Sequence, residues 1–115
     1  MRIAFYLATI GAGLAVSAVV FAADASDVSI KMQQQTFVPA KLDVSVGTKI
    51  TWTNADTLPH SVTANDGRFD SGSIEPGKTF QWTPTEAGTV MYHCIFHPSM
   101  TAVLTVHASA AKNAK

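Results

Sequence analysis

In the stretch "KLDVSVGTKITWTN", residues 41 to 54, apolar and polar side chains alternate. Leu42, Val44 and Val46 share one face while Lys41, Asp43 and Ser45 share the other; past Gly47, Ile50 and Trp52 alternate with Thr51 and Thr53. The same period recurs in "TFQWT", where Phe80 and Trp82 alternate with Thr79, Gln81 and Thr83. A period of two belongs to a strand with one buried face, because successive side chains leave a pleated backbone on opposite sides. Turn signals separate the runs: Val46-Gly47, Asn65-Asp66-Gly67, Glu75-Pro76-Gly77 and Glu86-Ala87-Gly88. No run of ten or more residues keeps a helical period without Gly or Pro. The pattern predicts strands over residues 28–32, 41–46, 49–54, 61–64, 79–83, 89–94 and 101–106. Many short strands with such punctuation imply an antiparallel sandwich or barrel.

The N-terminus is read apart from this domain. Met1-Arg2 carries one positive charge, residues 3–21 are almost wholly apolar, and "VFAADAS" offers small-x-small sites for cleavage before Ala23 or before Ser26. Residues 1–22 are therefore expected to be a secretory signal peptide, which places the mature chain in the periplasm. An uncleaved anchor is the alternative, since roughly 19 apolar residues approach the span of a bilayer. Membrane attachment is expected only in that case. Residues 27–107 form one expected domain with one core, and "ASAAKNAK", 108–115, a flexible tail. The full chain has 8 Lys and Arg against 8 Asp and Glu. Loss of Arg2 leaves the mature chain near neutrality with its charges scattered, which excludes nucleic acid as a partner.

An exported protein normally pairs its cysteines, yet this chain has one, Cys94. It stands in "YHCIFHPSM", with His97 three residues on and Met100 three further. Alternation along "TVMYHC" puts Val90, Tyr92 and Cys94 on the inward face, and Met91 and His93 outward. The chain then leaves the strand, passes Pro98 and re-enters the sheet near Thr101, which places His97 and Met100 on a tight loop. Thiolate, imidazole and thioether together suit copper better than zinc, which makes little use of a thioether. A blue-copper plane also needs a second histidine. His60 in "TLPHSV" enters a strand from a loop; His93 points away from Cys94, and His107 lies beyond the last expected strand. His60 is the choice.

Those residues carry a family resemblance. "TFVPAKLDVSVGTKITWTNADTLPHSV" is similar to the N-terminal pattern of the small cupredoxins (plastocyanin, pseudoazurin, amicyanin), with Phe37, Pro39, Leu42, Val44, Gly47, Trp52, Asn54, Asp56 and His60 in order. "FQWTPTEAGTVMYHCIFHPSM" is similar to their C-terminal pattern, and the Cys-x2-His-x2-Met spacing most resembles amicyanin. The resemblance implies an all-β, two-sheet antiparallel Greek-key sandwich with one type 1 copper ion on His60, Cys94, His97 and Met100, supported by Asn54 and Ser61. It implies no enzyme but a monomeric one-electron carrier docking through Pro59, Phe96 and Pro98. Its redox partners would be proteins such as a periplasmic dehydrogenase, a cytochrome c or an oxidase. A copper carrier or buffer would use the same ligands. Two departures stand out. Ser61 replaces the usual Asn that tethers the ligand strand to the Cys loop, and Phe96 replaces a proline between Cys94 and His97. The first puts the tether in question, the second the choice of partner.

Overall fold

A computed structural model describes residues 27–109. The expectations for residues 1–22 and for most of the tail lie outside the described residues. Eight strands follow in order: β1 (Val28–Gln33), β2 (Thr36–Val38), β3 (Lys41–Ser45), β4 (Ile50–Asn54), β5 (Thr63–Ala64), β6 (Thr79–Trp82), β7 (Gly88–Cys94) and β8 (His97–His107). They form two four-stranded sheets, β2-β1-β4-β6 and β3-β8-β7-β5. The expected two-sheet all-β architecture is therefore present. Its ladders are mixed, because β1 runs parallel to β4 and β3 parallel to β8 while the other four pairings are antiparallel.

The alternation in the sequence explains the core. Ile50 and Trp52 are buried from β4, Val90, Tyr92 and Cys94 from β7, and Ala102, Leu104 and Val106 from β8. Leu42 and Val46 pack at its margin beside buried Val44. Trp52 anchors the interior: its ring meets Tyr92 edge-on at 5.5 Å, and its Nε1–H donates to the Tyr92 hydroxyl at 3.2 Å. Phe37 meets Tyr92 edge-on from the other side at 4.7 Å. A buried aromatic side chain of about 200 Å² contributes about 5 kcal/mol at roughly 25 cal/mol per Å². This wedge of rings fixes the separation of the sheets, and with it the end at which β7 delivers Cys94.

Most strand ends fall within two residues of the sequence reading, and two differences are larger. β2 was not foreseen; it pairs with β1 through a two-residue turn at Gln34 and Gln35, with φ of 54° and 57°. Positive φ at both central residues is the signature of a type I′ hairpin, whose twist suits the flanking strands. At the other end β8 starts at His97, not near Thr101. His107, expected beyond the last strand, is its final residue and pairs with Ser45.

Candidate metal centre

The β7–β8 hairpin builds most of the site. His93 stands opposite Thr101, and a register continued by one residue would set Cys94 opposite Met100. Instead Cys94 stands opposite His97, with the irregularity between His93 and Cys94. Pro98, Ser99 and Met100 are thus surplus on the β8 side, a bulge that bends the strand and re-aims its side chains. Cys94 is 0% and Met100 1% exposed, while His97 is half-buried. The Cys94 Sγ lies 3.7 Å from His97 Nδ1.

His60 completes the group from the other side. Its Nδ1 is also 3.7 Å from Cys94 Sγ, its ring centroid is 4.9 Å from that of His97, and it is 0% exposed. The His60 N–H donates to the Ile74 carbonyl and the Ile74 N–H to the His60 carbonyl, so the backbone is pinned on both sides. On the far side of the ring, Nε2 lies 2.6 Å from an Asp56 carboxylate oxygen. A carboxylate only accepts, so Nε2 carries the proton and Nδ1 presents its lone pair toward Cys94. The carboxylate also accepts from the Gln34 N–H at 2.7 Å and the Gln35 N–H at 3.0 Å. Burial pushes the Asp56 carboxyl up, but the bonds from Gln35, His60 and Gln34 outweigh it and hold the group below its usual range. Asp56 had a place in the sequence pattern but no role. The signal available was a carboxylate four residues before a candidate ligand.

Asn54 and Ser61, the supporting residues expected from sequence, both make hydrogen bonds beside this cluster. Asn54, buried, donates to the carbonyls of Leu58 and Ile74 and accepts from the Asp56 N–H, each at 2.8 Å. It staples the loop that leads to His60. Ser61 makes the tether that its short side chain had put in question: its N–H donates to Cys94 Sγ at 3.3 Å and its Oγ accepts from the Ile95 N–H at 2.9 Å. A hydroxyl suffices because the two segments approach closely.

Around this end the surface is apolar. Pro59 is half-buried, Phe96 is 45% exposed, and Pro98 is exposed. Sequence reasoning missed Leu58 and Ile95, which are 45% and 51% exposed and flank Pro59 and Phe96 in the chain. The remaining histidines are engaged elsewhere. His93 Nδ1 bonds Asn65 Oδ1 at 2.6 Å, and His107 Nε2 lies 3.2 Å from Asp43.

The ligand atoms of His60, Cys94 and His97 lie within 4.8 Å of one another. Imidazole nitrogen at about 2.1 Å and thiolate at about 2.3 Å from one first-row ion would stand about 3.6 to 3.8 Å apart, which the two 3.7 Å separations match. Donor chemistry then selects among metals: one thiolate and two imidazoles beside a buried thioether favour copper.

A family model described as a cupredoxin-like domain matches residues 4–106. The chain belongs to the cupredoxin family. Amicyanin from Paracoccus denitrificans is 32% identical over 81 residues, covering 66% of this chain and 60% of the relative. This cupredoxin thus spans less than two thirds of that relative's length. Plastocyanin A'/A'' from Nicotiana tabacum is 34% identical over 74 residues, 53% of this chain and 75% of its own. Among solved structures, a purple cupredoxin from Nitrosopumilus maritimus superposes with a TM-score of 0.63 at 30% identity, covering 70% of this chain and 99% of the other. The cofactor that belongs to this cupredoxin's site is one type 1 copper ion.

Proposed function

We propose that this cupredoxin is a periplasmic one-electron carrier, with His60, Cys94, His97 and Met100 as its copper ligands. The observation that carries the reading is the triangle of His60 Nδ1, Cys94 Sγ and His97 Nδ1, closed at 3.7 Å on both thiol edges. Copper held by these residues would supply a one-electron Cu(I)/Cu(II) couple, and the Cys94 thiolate and Met100 thioether, as soft donors, would help set its potential. The chain's own work is to hold that arrangement fixed. Asp56 orients His60, the paired bonds to Ile74 pin its backbone, and Ser61 ties that strand to the Cys94 turn. Full burial of His60, Cys94 and Met100 keeps water off the metal side of these groups.

His97 is the least buried of the four, which makes it the port for the electron. Leu58, Pro59, Ile95, Phe96 and Pro98 surround that port with an uncharged surface, suited to brief docking of a redox protein through a small interface. A dehydrogenase, a cytochrome c and an oxidase of the periplasm are the candidate partners. A copper carrier would use the same ligands, but the rigid support of His60 favours the shuttle, which gains from a site that does not move between oxidation states. Visible absorption and EPR spectra after Cu(II) addition, with Cys94→Ala alongside, test the proposal. An intense thiolate-to-copper band with narrow hyperfine splitting, lost in the variant, is expected. Weak, ordinary copper signals would remove the electron-transfer reading, and slow electron self-exchange at a blue site would bring the copper carrier forward.

A further inference from the structure

The Ser61 hydroxyl, which accepts from the Ile95 N–H, continues into a chain of hydrogen bonds. Ser61 Oγ lies 2.9 Å from Thr63 Oγ1, and Thr63 Oγ1 lies 3.2 Å from Asp70 Oδ1. The direction of each bond follows from donor arithmetic. A carboxylate accepts only, so Thr63 gives its single proton to Asp70; Thr63 must then accept from Ser61; Ser61, its proton spent, is left to accept the Ile95 N–H. The polarity of the whole chain is set at Asp70, an exposed residue outside the metal site. Asp70 is itself held in place, by the backbone bridge between Thr63 and Asp70 and by the Gly72 N–H donating to its Oδ1 at 3.0 Å.

We infer that Thr63, with its polarity fixed by Asp70, is a positioning residue for the copper site, acting through the Ser61 hydroxyl on the turn between Cys94 and His97. Ser61 is 0% exposed, so its hydroxyl proton has no water to turn to. Deprived of Thr63 Oγ1, the hydroxyl regains an acceptor by a change of the Ser61 χ1 rotamer, and that change moves Oγ off the Ile95 N–H. The segment carrying His60 then loses its link to the Ile95 amide and keeps only contacts to Cys94 Sγ, from the Ser61 N–H at 3.3 Å and at His60 Nδ1 at 3.7 Å. Thr63 thereby supplies what one longer amide side chain would supply alone. The inference rests on the copper reading for its functional meaning, while the tether itself is testable without metal.

The experiment compares wild type with Thr63→Val, which is isosteric but lacks the hydroxyl, Thr63→Ser, which restores it, and Asp70→Asn, whose amide can donate as well as accept. In the copper-free protein, Ile95 amide exchange is expected to rise at least tenfold in Thr63→Val relative to the amides of Ile30 and Trp52 in the other sheet. It should rise less in Asp70→Asn and stay unchanged in Thr63→Ser. With copper added, the thiolate-to-copper band and hyperfine splitting should shift in the same order. Unchanged Ile95 exchange in a folded Thr63→Val would overturn the inference, as would equal acceleration of all amides, which marks general loosening. Faster exchange with an unmoved spectrum would also refute the positioning role. A wild type without a blue band would sink the proposed function while leaving the exchange result to be judged separately.

Discussion

Removal of the Asp56 carboxylate is the sharpest test of how the His60 side of the site is held. In Asp56→Ala three donors lose their acceptor: His60 Nε2 at 2.6 Å, Gln34 N–H at 2.7 Å and Gln35 N–H at 3.0 Å. They do not weigh equally. His60 is 0% exposed, and a buried unpaired donor costs about 1 to 3 kcal/mol. The turn amides belong to exposed residues and can bond water, so each loses only about 0.5 kcal/mol. The copper-free domain should therefore lose about 2 to 4 kcal/mol, read from urea unfolding. Copper affinity should fall roughly 10- to 100-fold, the usual cost of removing a ligand's outer partner. Chelator competition measures the affinity, and nitrogen NMR of the imidazole reports whether the proton stays on Nε2. A loss below about 0.5 kcal/mol with unchanged affinity and tautomer would refute the reasoning.

Three further outcomes follow from the same geometry. Gln35→Gly should stabilise the domain by about 0.5 to 1 kcal/mol in urea unfolding, because left-handed φ costs a residue with a β-carbon roughly 1 to 2 kcal/mol, part of which the greater freedom of unfolded glycine takes back. Met100→Leu should keep the blue colour and raise the potential in voltammetry; outright loss of copper would count against Met100 as a weak ligand. Burial, only partly offset by the bond from Trp52, pushes the Tyr92 hydroxyl up to about 12. The unfolded chain releases that proton near pH 10 and the folded one only near 12, so stability falls as pH rises from about 10 to 12, by about 2 to 3 kcal/mol. Tyr92→Phe should flatten that part of the unfolding profile, with phenolate absorbance as the direct check.

The strands legible in the sequence were those with room to show alternation, such as β3, β4 and β7. β2 has three residues, too few for a period, and its turn carries Gln34-Gln35 where Asn-Gly would have announced a hairpin. What secures that turn is a carboxylate 22 residues away, which no local reading finds. The late start expected for β8 came from taking Pro98 as a loop residue; a bulge accommodates it inside the strand instead. The metal cluster was legible because soft and nitrogen donors are scarce and distinctive. Asp56, Thr63 and Asp70 are common surface types, and only the fold brings them into line with the ligands. The parallel pairings were equally hidden, since side-chain period carries no strand direction.

One of those pairings bears on how the molecule comes into being. β8, the longest strand and the last in the described chain, lies between β3 and β7, and its partners in β3 are some sixty positions earlier. Until it emerges, the second sheet has no centre: β3 has no partner, and β5 and β7 have only each other. Closing so distant a pair is slow, on the millisecond-to-second scale usual for such topologies. His60, Cys94 and His97 therefore do not meet around a stray ion until β8, which begins at His97, takes its place between β3 and β7. The metal chemistry of such a polypeptide begins only once that last pairing has closed.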